Sequence, residues 1–386
     1  SFVLGGRSIG PWMTAFAYGT TYFSAVIFVG YAGQFGFKYG LASTWIGLGN
    51  ALIGSLLAWV ILGRRTRVMS NHLGSRTMPE FFGSRYNSQA LKVVASAIVF
   101  VFLVPYTASV YNGLSRLFEM AFGIPYIYCV IGMAVLTCIY VVLGGYMATA
   151  VNDLIQGIVM LFGIVLVIAA VLANNGGFID AIGQLAQIES VEAVTAGQPG
   201  AYTSFFGPDP LNLLGVVLLT SLGTWGLPQM VHKFYAIKSE KAVYTGTIIS
   251  TFFALIVAGG SYFLGGFSRL YDSPAIYDAA GNIVYDSIIP TMLSTLPDVV
   301  IGVVIMLVLS ASMSTLASLV LTSASTLTLD FIKGTVVKDL SEKKQMIWLR
   351  VLVAVFLLIS VILAIDPPTF IAQLMGISWG ALSGAF

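Results

Sequence analysis

The chain has 386 residues, 58% of them hydrophobic and only 9% charged, with a mean hydropathy of +0.92. Soluble domains carry about 25% charged residues, so a soluble globular protein is excluded. A disordered chain or disulfide scaffold is excluded as well, because apolar residues dominate and there are two cysteines. A polytopic membrane protein remains, with room for roughly ten spans of ~20 apolar residues each.

In chain order, apolar stretches lie at 11–33, 40–63, 90–121, 124–143, 148–173, 210–231, 242–267, 298–329, 346–365 and 369–386. Their length and sparse charge predict ten membrane-spanning helices. A membrane barrel would instead show alternating segments of ~10 residues, so the predicted class is an all-α membrane protein. The Lys and Arg residues orient it. Arg7, Arg64, Arg65, Arg67, Arg76, Arg85, Lys92, Lys233, Lys238, Lys241, Lys333, Lys338, Lys343, Lys344 and Arg350 share one side, 15 of the 18. Lys38, Arg116 and Arg269 occupy the other. Short basic loops stay in the cytoplasm, which places 64–89, 233–241 and 330–345 there. The long 174–209 loop, with Asp180, Glu189, Glu192 and Asp209 but neither Lys nor Arg, falls outside. The expected location is the plasma (inner) membrane. Ser1 has no preceding Met, and Phe386 ends inside the tenth stretch. The chain is therefore expected to be cut from a longer polytopic protein, with the last helix truncated.

Backbone that leaves the helix inside a bilayer is tolerated only where it lines a cavity or binds something. Segment one carries Gly19-Thr20-Thr21, followed by Ser24-Ala25. That fits either a local unwinding that releases carbonyls toward an ion or close packing of small residues. Segment six reads TSLGTWGLPQM (220–230), where Pro228 forces a discontinuity. The two interruptions stand five segments apart. They occupy corresponding positions in two halves, 1–173 and 210–386, flanking the external 174–209 loop. Paired interruptions of this kind mark a transporter binding site at a repeat interface, and five spans per half imply inverted topology. Segment eight, SASMSTLASLVLTSAST (310–326), is crowded with hydroxyls, including adjacent Ser314 and Thr315. Neutral hydroxyls with freed carbonyls suit a monovalent hard cation, whereas a divalent ion would demand carboxylates. Sodium, or a proton pathway, is the reading.

LGGRSIGP (4–11), the first segment, GGYMATAVNDLIQG (144–157) and SASMSTL (310–316) together resemble the sodium:solute symporter family. LGGRS, PEFFGSRY (79–86) and RLFEMAFG (116–123) look nearer its proline/pantothenate branch. The resemblance implies a leucine-transporter-like fold of two inverted five-helix repeats, incomplete at the C-terminal end. Further helix is implied before residue 1 and after residue 386. It implies a sodium site on the carbonyls of Thr20, Phe23 and Ala311 and the hydroxyls of Ser314 and Thr315. Asp153 matches the family's acid at the inner start of segment five, and it has apolar neighbours with no Lys or Arg nearby. An intramembrane acid is a functional-site hypothesis by default, here on the ion's exit pathway. Its other reading is a helix-dipole charge.

Some family members hold a second sodium with further segment-eight hydroxyls. Here Ser318 is present but Ala317 replaces one of them, which favours a single sodium. Tyr22 stands where proline transporters carry an acid, and Thr220 and Thr224 replace an aromatic pair. Trp225 sits in a Trp-Gly step as in sugar-transporting relatives, and Tyr106 matches an aromatic of the proline pocket. The implied solute pocket is Tyr22, Ser24, Ala25, Tyr106, Thr220, Thr224 and Trp225, without charge. It suits a small neutral or zwitterionic solute such as proline, or a pantothenate-like carboxylate. A sugar or sialic acid symporter is the alternative, and a membrane sensor input domain is the reading from another class. The expected partners are sodium, the solute and the lipid bilayer, with no nucleic acid and a monomeric functional unit. Na+ is the implied ion, and no enzyme site is evident. His72 and His232 are expected in cytoplasmic loops. Cys129 and Cys138, about 13 Å apart along one helix, are expected to stay unbridged.

Overall fold

A computed structural model of the chain describes residues 3–337 and 340–386. Lys338, counted above on the basic side, lies outside the described residues. Every element that crosses the molecule is helical. The first helix, α1, is broken: α1a is Pro11–Tyr22, and α1b starts at Val26–Tyr31 and continues through Ala32–Tyr39. α2 begins at Thr44–Gly49, passes through π-wound turns at Asn50–Leu57 and Trp59–Gly63, and ends with Arg64–His72. α3 is Gln89–Phe122, capped by the Ser88 side chain on the Leu91 amide. Tyr126–Asn174 holds α4 and α5, which meet at Gly145. α6 is broken into α6a (Pro210–Gly223, extended by the turn Thr224–Gly226) and α6b (Pro228–Ala236), bent by 50°. α7 is Glu240–Gly265, α8 is Asp298–Thr326 running on through Leu327–Val336, α9 is Glu342–Ile365 and α10 is Ile371–Ala385.

By length and hydropathy alone, six helical runs among the described residues could cross a membrane, or seven with the bent pair counted as one. Dividing the two longest runs raises that figure to nine, and α10, only 15 residues long, is the tenth segment. Val26–His72 and Tyr126–Asn174 have 47 and 49 residues. At 1.5 Å per residue each is roughly 70 Å long, more than twice a hydrocarbon core of about 30 Å. Each run therefore belongs to two spans: Val26–His72 holds α1b and α2, and Tyr126–Asn174 holds α4 and α5. The first turns at Gly40 (φ 62°, ψ −143°) and the second at Gly145 (φ 60°, ψ −172°), positive-φ conformations that favour glycine.

Burial sorts the helices into a centre and a rim. Residues 14–22 of α1a, all of α6b and 314–326 of α8 are buried. α4, α5 and α9 instead turn large apolar side chains outward, with Leu143 77%, Phe162 75% and Ile362 64% exposed. Such an outer face suits lipid. α8 packs on α1a, α3, α5 and α9, and α10 packs on α3, α1b and the turn of α6. Small residues bring backbones together. A Cβ on Gly36 of α1b would lie 2.2 Å from the carbonyl carbon of Gly265 in α7.

Candidate functional site

The break in α1 frees carbonyls, and its cause is local. Phe23 turns extended (φ −86°, ψ 123°), so the helical ladder stops after Phe23 N–H bonds the Gly19 carbonyl. The next amides bond elsewhere. Ala25 N–H donates to Ser312 Oγ at 3.1 Å, Val26 N–H to Ser24 Oγ at 3.2 Å, and Ile27 N–H to the Ser24 carbonyl at 3.1 Å. The carbonyls of Thr20, Thr21 and Phe23 are left pointing across to α8.

There they meet Thr315. Its Oγ1 lies 3.1 Å from the Thr20 carbonyl, 3.2 Å from those of Thr21 and Phe23, and 3.1 Å from its own helix's Ala311 carbonyl. One turn-position away, Ser314 Oγ is 2.8 Å from Thr20 Oγ1 and donates to Asp153 Oδ1 on α5. Thr20 Oγ1 in turn donates to the Phe16 carbonyl at 2.9 Å. The three hydroxyl hydrogens of Thr20, Ser314 and Thr315 thus face the carbonyls of Phe16, Thr20, Thr21, Phe23 and Ala311, together with Thr20 Oγ1 and Asp153 Oδ1. Oxygen outnumbers hydrogen in a fully buried cluster. A small hard cation is the species that such a donor set satisfies.

Asp153 is fully buried, and its Oδ2 has no hydrogen-bond partner. The sequence placed it far from any basic residue, and the fold corrects this. Lys233 of α6b, 1% exposed, reaches the same cluster and donates from Nζ to Ser318 Oγ at 3.0 Å. Ser318 Oγ is 2.9 Å from Thr21 Oγ1, so Lys233 is tied through one hydroxyl to the break in α1.

Beside the cation cluster, Tyr18, Gly19, Tyr22, Asn50, Gly54, Ser55, Thr224, Met230, Ser250 and Ala254 line a crevice of about 10 Å³, room for about one water. Its lining is uncharged. The Tyr22 hydroxyl is buried with no hydrogen-bond partner, a donor and acceptor left open at the crevice. Tyr22 and Tyr106 meet through Trp379 of α10, with ring centroids 5.9 and 6.0 Å from it.

The model of the sodium:solute symporter family matches residues 2–386. The chain belongs to the sodium:solute symporter family. Among its curated relatives are the sodium/proline symporters of Escherichia coli strain K12 and Staphylococcus aureus, each 28% identical. The alignments cover 100% of this chain and 75% and 74% of those proteins. Among solved structures, the substrate-bound outward-open Na+-coupled sialic acid symporter matches with a TM-score of 0.77 at 17% identity, over 100% of this chain and 79% of that one. A nucleobase-cation-symport-1 family transporter in a closed conformation matches at 0.59 and 13%, over 98% and 76%. The fold is thus leucine-transporter-like. This symporter is a multi-pass integral membrane transporter, not an enzyme, and sodium is its co-transported ion.

The structure gathers Thr20, Phe23, Ala311, Ser314 and Thr315 at one point and places Asp153 against Ser314. It divides the expected solute residues of the symporter. Tyr22 and Thr224 line the crevice, and Tyr106 stands behind Trp379. Ser24 and Ala25 instead stabilise the break: Ser24 accepts from Val26 N–H, and Ala25 packs against Gly113 of α3. Thr220 spends its hydroxyl on the Val216 carbonyl of its own helix, and Trp225 turns away to donate to the Ile53 carbonyl at 3.0 Å. Neither lines the crevice. Trp379, Tyr18, Asn50 and Ser250 join the site through packing alone, with no local sequence motif to mark them.

The loops differ too. His232 and Lys233 are not in a loop: the apolar Phe234-Tyr235-Ala236 after them continues α6b, and the whole helix is buried. The 64–89 stretch carries helices Arg64–His72 and Met78–Arg85, and α8 runs on past 330 to Val336. Cys129 and Cys138 are free.

Proposed function

We propose that this symporter couples one sodium ion to uptake of a small neutral or zwitterionic solute, with an amino acid such as proline first among the candidates. The ion is held by the carbonyls of Thr20, Phe23 and Ala311 and the hydroxyls of Ser314 and Thr315. The single observation that carries the reading is the Thr315 hydroxyl, one hydrogen set among four carbonyl oxygens. The solute is recognised at the uncharged crevice against Tyr22 and Thr224, with Tyr106 and Trp379 behind it, and the crevice must widen from its one-water size to admit it. The crevice shares Gly19 and Tyr22 with the unwound end of α1a, next to the ion's carbonyls. An ion that pins α1 to α8 therefore shapes the solute site.

The proposed frame is two inverted halves, 1–173 and 210–386, with 174–209 external and the basic loops cytoplasmic. Asp153 draws the ion toward the cytoplasmic side as the halves rock. The likeness to sodium/proline symporters supports the solute class, and the charge-free lining agrees with a zwitterion whose own charges pair with backbone dipoles. Reconstitution into liposomes tests it. An inward sodium gradient should drive accumulation of labelled proline, or of a competing amino acid or carboxylate, above that seen with an equal potassium gradient. Equal uptake under both gradients for every solute tried contradicts the reading.

A further inference from the structure

A buried ammonium stands next to the cation cluster. Lys233 lies on α6b, all of whose residues are buried. Its Nζ has Ser318 Oγ at 3.0 Å and the Tyr146 ring centroid at 5.1 Å. Ser318, which takes this bond, is paired with the Thr21 hydroxyl of α1a, and one turn along α8 Ser314 is paired with the Asp153 carboxylate of α5. No ion pair within 4 Å closes between Lys233 and Asp153 among the described residues, and Asp153 Oδ2 has no hydrogen-bond partner.

A buried carboxylate needs a positive charge close by, because leaving it uncompensated is strongly destabilising. The Ser314–Asp153 pair and the Ser318–Thr21 pair, one turn apart along α8, supply one carboxylate and three hydroxyls to which a second monovalent cation would be drawn. An ammonium is a compact point charge with three donors on a flexible stem, and it can fill the same electrostatic role without leaving the protein. We propose that Lys233 is a tethered cation, occupying the position beside Ser318 and Asp153 that a second sodium would otherwise take, and so fixing coupling at one sodium per solute. The proposal rests on the sodium-symport reading above. It goes beyond the missing hydroxyl at Ala317, because it assigns the stoichiometry to a charge rather than to a lost ligand.

The test compares the wild type with Lys233→Met and Lys233→Arg in proteoliposomes. It measures the ratio of labelled sodium to labelled solute entering, and the Hill coefficient of sodium activation. The wild type and Lys233→Arg should show a Hill coefficient of about one, and Lys233→Met should rise toward two as a second sodium takes the vacated place. The flux ratio should double in parallel. In detergent, sodium should protect Lys233→Met against heat more strongly than it protects the wild type, and adding Asp153→Asn should abolish that extra protection. A wild-type flux ratio of two overturns the proposal without any variant. So does a folded Lys233→Met protein that keeps a ratio of one and shows no extra protection. Wild-type uptake independent of sodium would instead bring down the symport reading itself, so the two failures are distinguishable.

Discussion

Thr315 Oγ1 of α8 lies 3.2 Å from the carbonyl oxygen of Phe23, the residue at which α1 leaves its helical path. The contact joins the hydroxyl-rich helix to the unwound one across the centre of the molecule. It is also chemically incomplete, because the same hydroxyl faces three further carbonyls. An ion placed there would hold the two helices together more firmly than one shared hydrogen can. Its departure would let them separate.

Asp153 and Lys233 are expected to act as a charge couple within the buried centre. Asp153→Asn leaves a buried ammonium without this carboxylate and should lower stability, by less than the ~3–5 kcal/mol of a broken contact ion pair because the two do not touch. The double variant Asp153→Asn/Lys233→Met removes both charges and should recover most of that loss. Thermal denaturation of the four proteins in detergent forms the cycle. Additive losses would mean that the two side chains do not sense each other.

Trp379 should matter to the solute more than to the ion. Its ring packs on Tyr22 and Tyr106, and none of the hydrogen bonds of the Thr315 cluster involves it. Trp379→Phe, which keeps a ring, should raise the KM for solute about ten-fold while the sodium concentration for half-activation moves less than three-fold, a loss of about 1.4 kcal/mol. Uptake kinetics at saturating sodium and at saturating solute separate the two effects.

Two glycines make a matched pair for packing. Gly36 meets the backbone of Gly265, leaving no room for a methyl group, whereas a Cβ at Gly132 meets nothing within 4 Å. Gly36→Ala should therefore lower stability by roughly 1–3 kcal/mol through overpacking. Gly132→Ala, in an exposed helix interior, should leave it unchanged or raise it by up to ~1 kcal/mol. Melting temperatures decide between them.

On the face opposite the basic loops, Asp286 accepts from the Ile371 amide at the start of α10. Burial lifts its carboxyl from the ordinary 3.8 to about 6, opposed by the Ile371 hydrogen bond and by Arg116. The folded protein therefore binds this proton more tightly than the unfolded chain does. The stability from this group is full below about pH 4 and falls as the pH rises toward 6. Asp286→Asn, with an acceptor but no titration, should flatten that slope. Melting curves from pH 4 to 7 measure it, and a slope unchanged in the variant would contradict the assignment.

Hydropathy made the ten segments legible because a bilayer demands long apolar runs. Local chemistry made both breaks legible, through Gly19-Thr20-Thr21 and Pro228. What eluded the sequence was rotation and distance. Nothing local tells whether Trp225 faces a crevice or the Ile53 carbonyl, since a residue in a short turn between two bent half-helices can point either way. Trp379 reaches Tyr22 only because α10 packs on α1b and α3. Lys233 read as loop because a positive charge beside basic neighbours normally marks a membrane edge. The signal against that reading was the apolar Phe234-Tyr235-Ala236 run after it, which keeps a helix buried past the charge.

The most direct test titrates sodium against solute uptake in proteoliposomes for the wild type and Ser314→Ala/Thr315→Ala, with expression and folding checked by monodispersity. Losing two hydroxyl ligands should raise the sodium concentration for half-maximal uptake at least ~30-fold, equivalent to about 2 kcal/mol. A double variant that folds and still responds to sodium at the wild-type concentration would place the ion elsewhere and contradict the account.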